Sequence, residues 1–340
     1  MTYATLGEVA VGRDNNFNLI RMVAATGVLV SHAFPITYGE GAEEPLERWL
    51  GFSLGHVSVL IFFALSGFLI TRSFQKSESL ARFVKARVYR IYPGLIAVLL
   101  VTVAVGAIAV AGTARARFWA AVPDYLLSNL ALFRLRYDLP GIFAANPFGP
   151  AINGSLWTLF YEVVCYGLVA AAGLTGALRR RRVFLGLTAL FAAAFVGSLF
   201  TELPPRVERL LTLGFPFAAG AALAVWRQHV PMGAPIALVL AGVAALALPT
   251  PLFPAAFAVA LAYSVLWLGH LRIPTLLRYN RLGDFSYGTY IYAFPVQQSV
   301  AALGVASPWL NMAVALPVTL FCAVLSWKLV EEPALARVRR

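Results

Sequence analysis

The chain has 340 residues, of which 60% are hydrophobic and only 12% are charged, and its mean hydropathy is +0.77. Soluble domains carry about 25% charged residues, so these charges are too few to cover a water-soluble fold. The net charge of +12 does not point to nucleic acid. The basic residues gather in short segments between apolar runs and are not interleaved with aromatic residues on one face.

Met1 to Asn16 is polar and mixed, and no small-residue cleavage site follows, so the first apolar run is expected to stay as an uncleaved span. Apolar runs fall at approximately 17–36, 52–74, 92–112, 154–176, 183–200, 210–227, 234–250, 252–270, 285–304 and 308–330. Each approaches the ~20 residues that cross ~30 Å of hydrocarbon as a helix. The expected fold is therefore all-α, a polytopic membrane helix bundle of about ten transmembrane helices. Only Pro249, Thr250 and Pro251 separate the seventh and eighth runs, which are either a tight hairpin or one broken element. No repeat, linker or soluble C-terminal domain is visible, so residues 1–340 read as a single transmembrane domain. The one long segment on the outer side, about 113–152, mixes Trp119 with Pro140, Gly141, Asn146, Pro147 and Gly149. It reads as an interfacial or re-entrant lid.

Basic residues set the orientation. Arg72, Lys76, Arg82, Lys85, Arg87 and Arg90, then Arg179 to Arg182, then Arg272, Arg278 and Arg281, and finally Arg337, Arg339 and Arg340 fall on one side. The other side holds fewer, and its first loop is acidic, with Glu40, Glu43, Glu44 and Glu47. This bias places both termini in the cytoplasm. Cys165 and Cys322 lie inside apolar runs and read as packing residues, so neither a disulfide framework nor a metal site is expected. His56, His229 and His270 sit near span ends without metal-ligand spacing.

Ionisable groups within spans are costly, and each one is a candidate functional residue. The first span carries Arg21 and His32, eleven residues apart. They share a helix face about 16 Å apart along the axis. Snorkelling by Arg21 and a backbone hydrogen bond from His32 account for the same positions without chemistry. Glu162 lies near the middle of the fourth span and needs a cation, a proton or several donors; a bundle-stabilising ion pair satisfies it equally. Asn153, Gly154 and Ser155 mark a turn before that span, with Ser155 a candidate helix cap. Ser66 and Gly67 permit close helix approach. Arg87 and Arg90, three residues apart, suit either a bidentate phosphate grip or ordinary membrane topology.

Taken in order, these residues resemble membrane-bound acyltransferase family 3, the group containing O-antigen and exopolysaccharide O-acetylases. Arg21-x10-His32 is similar to the family's Arg-x10-His in the first span, and FFALSGFLIT (Phe62 to Thr71) to its FF-x-LSGFLI. Arg87-Val-Tyr-Arg90-Ile-Tyr-Pro resembles R-x-x-R-I-Y-P. Ser155-Leu-Trp157-Thr-Leu with Glu162 resembles S-L-W-S/T-L-x-x-E, and SYGTYIYAFPVQQ (Ser286 to Gln298), with Tyr290, resembles the late S-Y-x-x-Y segment. Two positions depart from the pattern: Asn18 stands where many members have Asp, and Ala293 where many have His.

The resemblance implies transfer of an acyl group, most simply acetyl with succinyl or longer chains open, from cytoplasmic acyl-CoA to a hydroxyl of a saccharide or lipid-linked saccharide. Acetyl-CoA is then a co-substrate, and no permanently bound cofactor is implied. His32 is the implied general base, with Arg21 and Glu162 as its partners. Arg87, Arg90 and Arg72 are assigned to the CoA phosphates, and Asn153, Ser155, Trp157, Ser66 and Tyr290 to the acceptor and motif positions. Ser155 and Ser66 are weak candidate nucleophiles. The implied setting is the bacterial inner membrane, with lipid as a further partner, no nucleic acid, and self-association into a homo-oligomer open. The competing class is a transporter or flippase of lipid-linked saccharides, which internal inverted symmetry would favour.

Overall fold

The computed structural model describes residues 3–12 and 14–339. Met1, Thr2, Arg13 and Arg340 lie outside the described residues, and Arg340 is one of the basic residues assigned above to the C-terminal end. The long helices are α1 (Phe17–Tyr38), α2 (Leu54–Lys76), α3 (Leu80–Ala109), α4 (Ala114–Ala131), α5 (Trp157–Leu174), α6 (Arg181–Ser198), α7 (Pro205–Val225), α8 (Ala234–Ala247), α9 (Phe253–Gly269), α10 (Ser286–Ala302) and α11 (Pro308–Ser326). After α11 the chain passes through a π-helical turn, Trp327–Glu331, into Glu332–Arg339. Among the described residues the only β pairing is an isolated bridge between Thr5 and Pro231, so the fold is all-α.

Every apolar run of the sequence is helical. Among the described residues, seven helices are long and apolar enough to cross a membrane, or up to eight if α9 and Pro274–Arg281, bent by 89°, form one span. This falls below the ten runs because three of them make shorter helices: α8 has 14 residues, and α9 and α10 have 17 each. At 1.5 Å per residue α8 covers about 21 Å, short of the ~30 Å hydrocarbon thickness. The seventh and eighth runs are two separate helices, α8 and α9, that pack on each other across the Pro249–Pro251 turn.

Two segments differ from the sequence reading in extent. The third apolar run begins near 92, yet α3 begins at Leu80, because Phe83, Ile91, Gly94, Leu95 and Val98 recur at helical spacing and are buried. Arg87 and Arg90 project from this helix, three residues apart. In the 113–152 segment, the first part forms α4 and the rest lacks regular structure.

The chain folds as two compact units, each assembled from separated stretches. The first comprises Met1–Arg21, Val59–Phe83 and Tyr161–Leu282, and the second Met22–Ser58, Val84–Phe160 and Gly283–Arg340. In the first unit, α2 and α7 cross in direct backbone contact. A Cβ on Gly67 would strike the Phe217 carbonyl, and one on Gly220 would strike the Ala64 carbonyl. Small residues serve such crossings in lipid, where association rests on packing and not on water exclusion. Ser66 lies partly buried next to this contact. The N-terminal segment is tied down by Leu6 N–H to Val230 O (2.8 Å), Gly7 N–H to Arg227 O (2.7 Å) and Met232 N–H to Ala4 O (2.9 Å).

In the second unit, α10 packs along α11, with Gly288 against the Ala323 backbone. Glu44, in the loop after α1, is only 3% exposed and accepts the Leu54 N–H that opens α2. Burial raises its pKa above the ordinary carboxylate value.

Overpacking costs about 1–3 kcal/mol. Gly67→Ala or Gly220→Ala should therefore lower the thermal midpoint in detergent, whereas Gly242→Ala, whose Cβ would meet open space, should leave it unchanged. Scanning fluorimetry of the three variants side by side decides this. A second expectation concerns pH. Glu44 holds its proton more tightly folded than unfolded, so its contribution to stability is present at low pH and is lost as pH rises through the raised folded pKa. Glu44→Gln, which keeps an oxygen for the Leu54 N–H, should flatten the decline in midpoint as pH rises above the ordinary carboxylate range.

Candidate active site

Within the second unit, one aromatic ring gathers three elements. The imidazole of His32, on α1, meets Phe294 of α10 edge-on, with ring centroids 5.2 Å apart and an interplanar angle of 79°. Phe294 is 2% exposed and packs with Ile36, Ala301, Phe148 and Ala151. A Cβ on Gly154 would lie 2.6 Å from the same ring. Only glycine lets the turn before α5 come this close.

That turn is held by hydrogen bonds to α10. Asn153 Nδ2 donates to Ile291 O (2.8 Å), and its Oδ1 accepts the Ser155 N–H (3.2 Å). The Tyr290 hydroxyl donates to Ser155 O (2.8 Å) and lies 2.7 Å from Thr158 Oγ1. Asn153, Ser155 and Tyr290, distant in sequence, are thus brought together, with Trp157 opening α5 beside them. One turn before His32, Leu29 O accepts from Gln297 Nε2 (2.9 Å), and Gln297 O accepts from Asn311 Nδ2 (3.1 Å). Gln298 Nε2 donates to Ala151 O (2.7 Å).

Twelve buried side-chain atoms have no hydrogen-bond partner among the described residues, and four of them belong to this network: His32 Nδ1, Ser155 Oγ, Gln297 Oε1 and Asn311 Oδ1. A buried polar group left unpaired costs about 1–3 kcal/mol. Water or a ligand normally supplies what the protein does not. His32 itself keeps some accessible surface, so its ring is not wholly sealed.

Sequence reasoning did not single out Phe294, Gln297 or Asn311. The signal was present in two adjacent amides, Gln297 and Gln298, inside an apolar run, since amides in lipid seek partners on neighbouring helices.

The remaining candidates divide between the units. The first holds Arg21, Ser66, Arg72 and Glu162; the second holds His32, Arg87, Arg90, Asn153, Ser155, Trp157 and Tyr290. Arg21 Nη2 donates to Asn18 Oδ1 (2.5 Å). The amide oxygen orients the guanidinium. The Tyr166 hydroxyl donates to Glu162 Oε1. Arg72 Nη2 donates to Ala10 O (2.9 Å), and its guanidinium lies 5.2 Å from the Phe68 ring centroid. Arg90 pairs with Asp284 (2.8 Å) over the Tyr287 ring, and Asp284 also accepts the Ser286 hydroxyl (2.6 Å). Arg87 lies three residues before Arg90 on α3, partly buried.

The family model for the acyltransferase domain, acyltransferase 3, matches residues 14–328. The chain belongs to the acyltransferase 3 family. It is 28% identical to an O-acetyl transferase of Shigella phage Sf6, with 96% of this chain and 97% of that protein aligned. It is 30% identical to nodulation protein 10 of Rhizobium leguminosarum bv. viciae, over 96% and 95% of the two chains. No solved structure matches it. The protein is therefore a membrane acyltransferase, and the residues around Phe294 lie within the matched domain.

Gly154→Ala tests the aromatic junction. The new methyl should displace Phe294 and, with it, the imidazole; transfer that depends on His32 should then fall at least ~10-fold, the scale of a 1 Å misplacement. The protein should still elute as a single folded species. Full activity in this variant would show that the ring does not position His32.

Proposed function

We propose that the acyltransferase moves an acetyl group from cytoplasmic acetyl-CoA to a hydroxyl of a saccharide or lipid-linked saccharide, in the cytoplasmic membrane of a bacterium. The observation that carries this reading is His32, an imidazole on a membrane helix whose buried Nδ1 has no hydrogen-bond partner among the described residues. The similarity to the phage O-acetyl transferase supports acetyl as the group and oxygen as the acceptor atom.

In the proposed reaction the acceptor hydroxyl donates its hydrogen bond to His32. As its oxygen attacks the thioester carbonyl carbon, the proton passes to the imidazole. The tetrahedral intermediate collapses, the carbon–sulfur bond breaks, and the departing CoA thiolate takes the proton from the imidazolium. Direct transfer of this kind needs no acyl-enzyme. Ser155 Oγ, whose hydroxyl has no acceptor among the described residues, is suited to donate to the developing oxyanion. Asn153 and Tyr290 position the Ser155 turn, and Trp157 and Ser66 belong to the surrounding framework.

Arg21 cannot touch the same carbonyl, because eleven residues of helix place it about 16 Å along the axis from His32. Its suited part is to steer the anionic donor, with Glu162 offsetting its charge. Arg87, Arg90 and Arg72 are the candidates for the CoA phosphates. Of these, Arg90 also fixes the start of α10 through Asp284.

The test uses purified protein in lipid nanodiscs with radiolabelled acetyl-CoA and membrane glycans as acceptor. His32→Ala should lower acetyl transfer by about 100-fold or more, the scale of a lost general base, while binding of acetyl-CoA persists. Transfer at the wild-type rate by the folded variant would rule His32 out as the base.

A further inference from the structure

The first unit contains a cavity of about 390 Å³ that the chemistry above leaves unused. Its walls include Gln75 and Ser77 at the end of α2, Gly173 near the end of α5, Arg179 and Arg181 at the entry to α6, and Arg227 just after α7. A second cavity of about 340 Å³ shares Phe74, Ser77, Gly173 and Arg179 with it. The volume falls within the ~300–1,000 Å³ of small-molecule sites.

Among the described residues, three guanidinium groups line the first cavity and no carboxylate does. The acid on the wall of the adjoining cavity, Glu78, is already bound to Arg82 (2.5 Å). Arg227 is fixed at several points. Its Nη1 donates to Gln75 Oε1 (3.1 Å) and to Ala224 O (2.9 Å), and its backbone carbonyl accepts the Gly7 N–H (2.7 Å). Arg72 feels the like charge of Arg227, and Arg181 Nη1 lies 3.5 Å from His229 Nε2.

Membrane topology alone asks only that positive charge lie on one side. It does not require an arginine to be locked by an amide and a helix carbonyl beside other arginines around a hollow. Gathering like charges this way is unfavourable until an anion arrives, and the planar guanidinium fork is matched to phosphate oxygens.

We propose that this cavity binds phosphate groups. Arg179, Arg181 and Arg227 grip them, and Gln75 positions Arg227. Two sources carry the required chemistry: the nucleotide end of a CoA donor and the headgroup of an anionic phospholipid. The first rests on the acetyl-CoA reading; the second does not.

The full chain is placed in nanodiscs of phosphatidylcholine, and binding of radiolabelled adenosine 3′,5′-bisphosphate is measured for the wild type, Arg227→Gln and Arg179→Gln/Arg181→Gln. Thermal stabilisation by added phosphatidylglycerol is measured on the same proteins. Loss of bisphosphate affinity by roughly tenfold or more in the variants supports the site with a nucleotide ligand. Loss of the phosphatidylglycerol response supports it with a lipid headgroup. Arg182→Gln, outside the cavity wall, should change neither. Gln75→Leu, which keeps every charge, should show a smaller loss of the same kind and serves if the arginine variants fail to fold. Wild-type behaviour in the variants, or an equal loss in Arg182→Gln, overturns the assignment. A wild-type protein that binds the bisphosphate but turns over no acetyl-CoA would reject the donor reading and leave the phosphate site standing.

Discussion

In hydrocarbon a polar atom has no water to fall back on, so each one must find a partner within the protein or receive one from a ligand. The second unit meets this constraint by spending amides on carbonyls. Asn153 reaches Ile291, Gln297 reaches Leu29, Asn311 reaches Gln297 and Gln298 reaches Ala151. These bonds stitch α1, α10, α11 and the turn before α5 together where hydrophobic attraction between helices is weak. The places where the stitching stops are as informative. The His32 ring and Gly154 both pack against Phe294, and neither His32 Nδ1 nor the hydroxyl of the adjacent Ser155 is satisfied among the described residues.

Charge is managed differently at different arginines. Arg90 pairs with Asp284 and acts as a brace at the start of α10, and Arg21 donates to the Asn18 amide oxygen. Arg227 is held by an amide and a carbonyl in a cavity whose wall carries no acid among the described residues. A guanidinium stays charged in proteins, so the partner each one is given decides whether it braces the fold or waits for an anion. This separates a structural role from a binding role more sharply than the presence of arginine alone.

Much of this architecture was legible in the sequence, because a membrane span is written as local composition. All ten apolar runs became helices, and the family resemblance carried by Arg21, His32, Arg87, Arg90, Ser155 and Glu162 agrees with the family match. The start of α3 at Leu80 was missed because its basic residues mask a helical apolar stripe. Phe294, Gln297 and Asp284 were missed for another reason. Their meaning lies in contacts with His32, Leu29 and Arg90, which are remote in the chain, and no local period encodes such pairs. The Arg179–Arg182 cluster read as topology alone, since its relation to Arg227 and Gln75 exists only in the fold.

The most direct test of the central claim is a cryo-electron microscopy structure of the protein in nanodiscs with a non-hydrolysable acetyl-CoA analogue. The account predicts the acyl end of the analogue beside His32, with ligand or ordered water within hydrogen-bond distance of Nδ1. An analogue whose acyl end lies elsewhere, with Nδ1 packed against lipid tails and no polar neighbour, would contradict it.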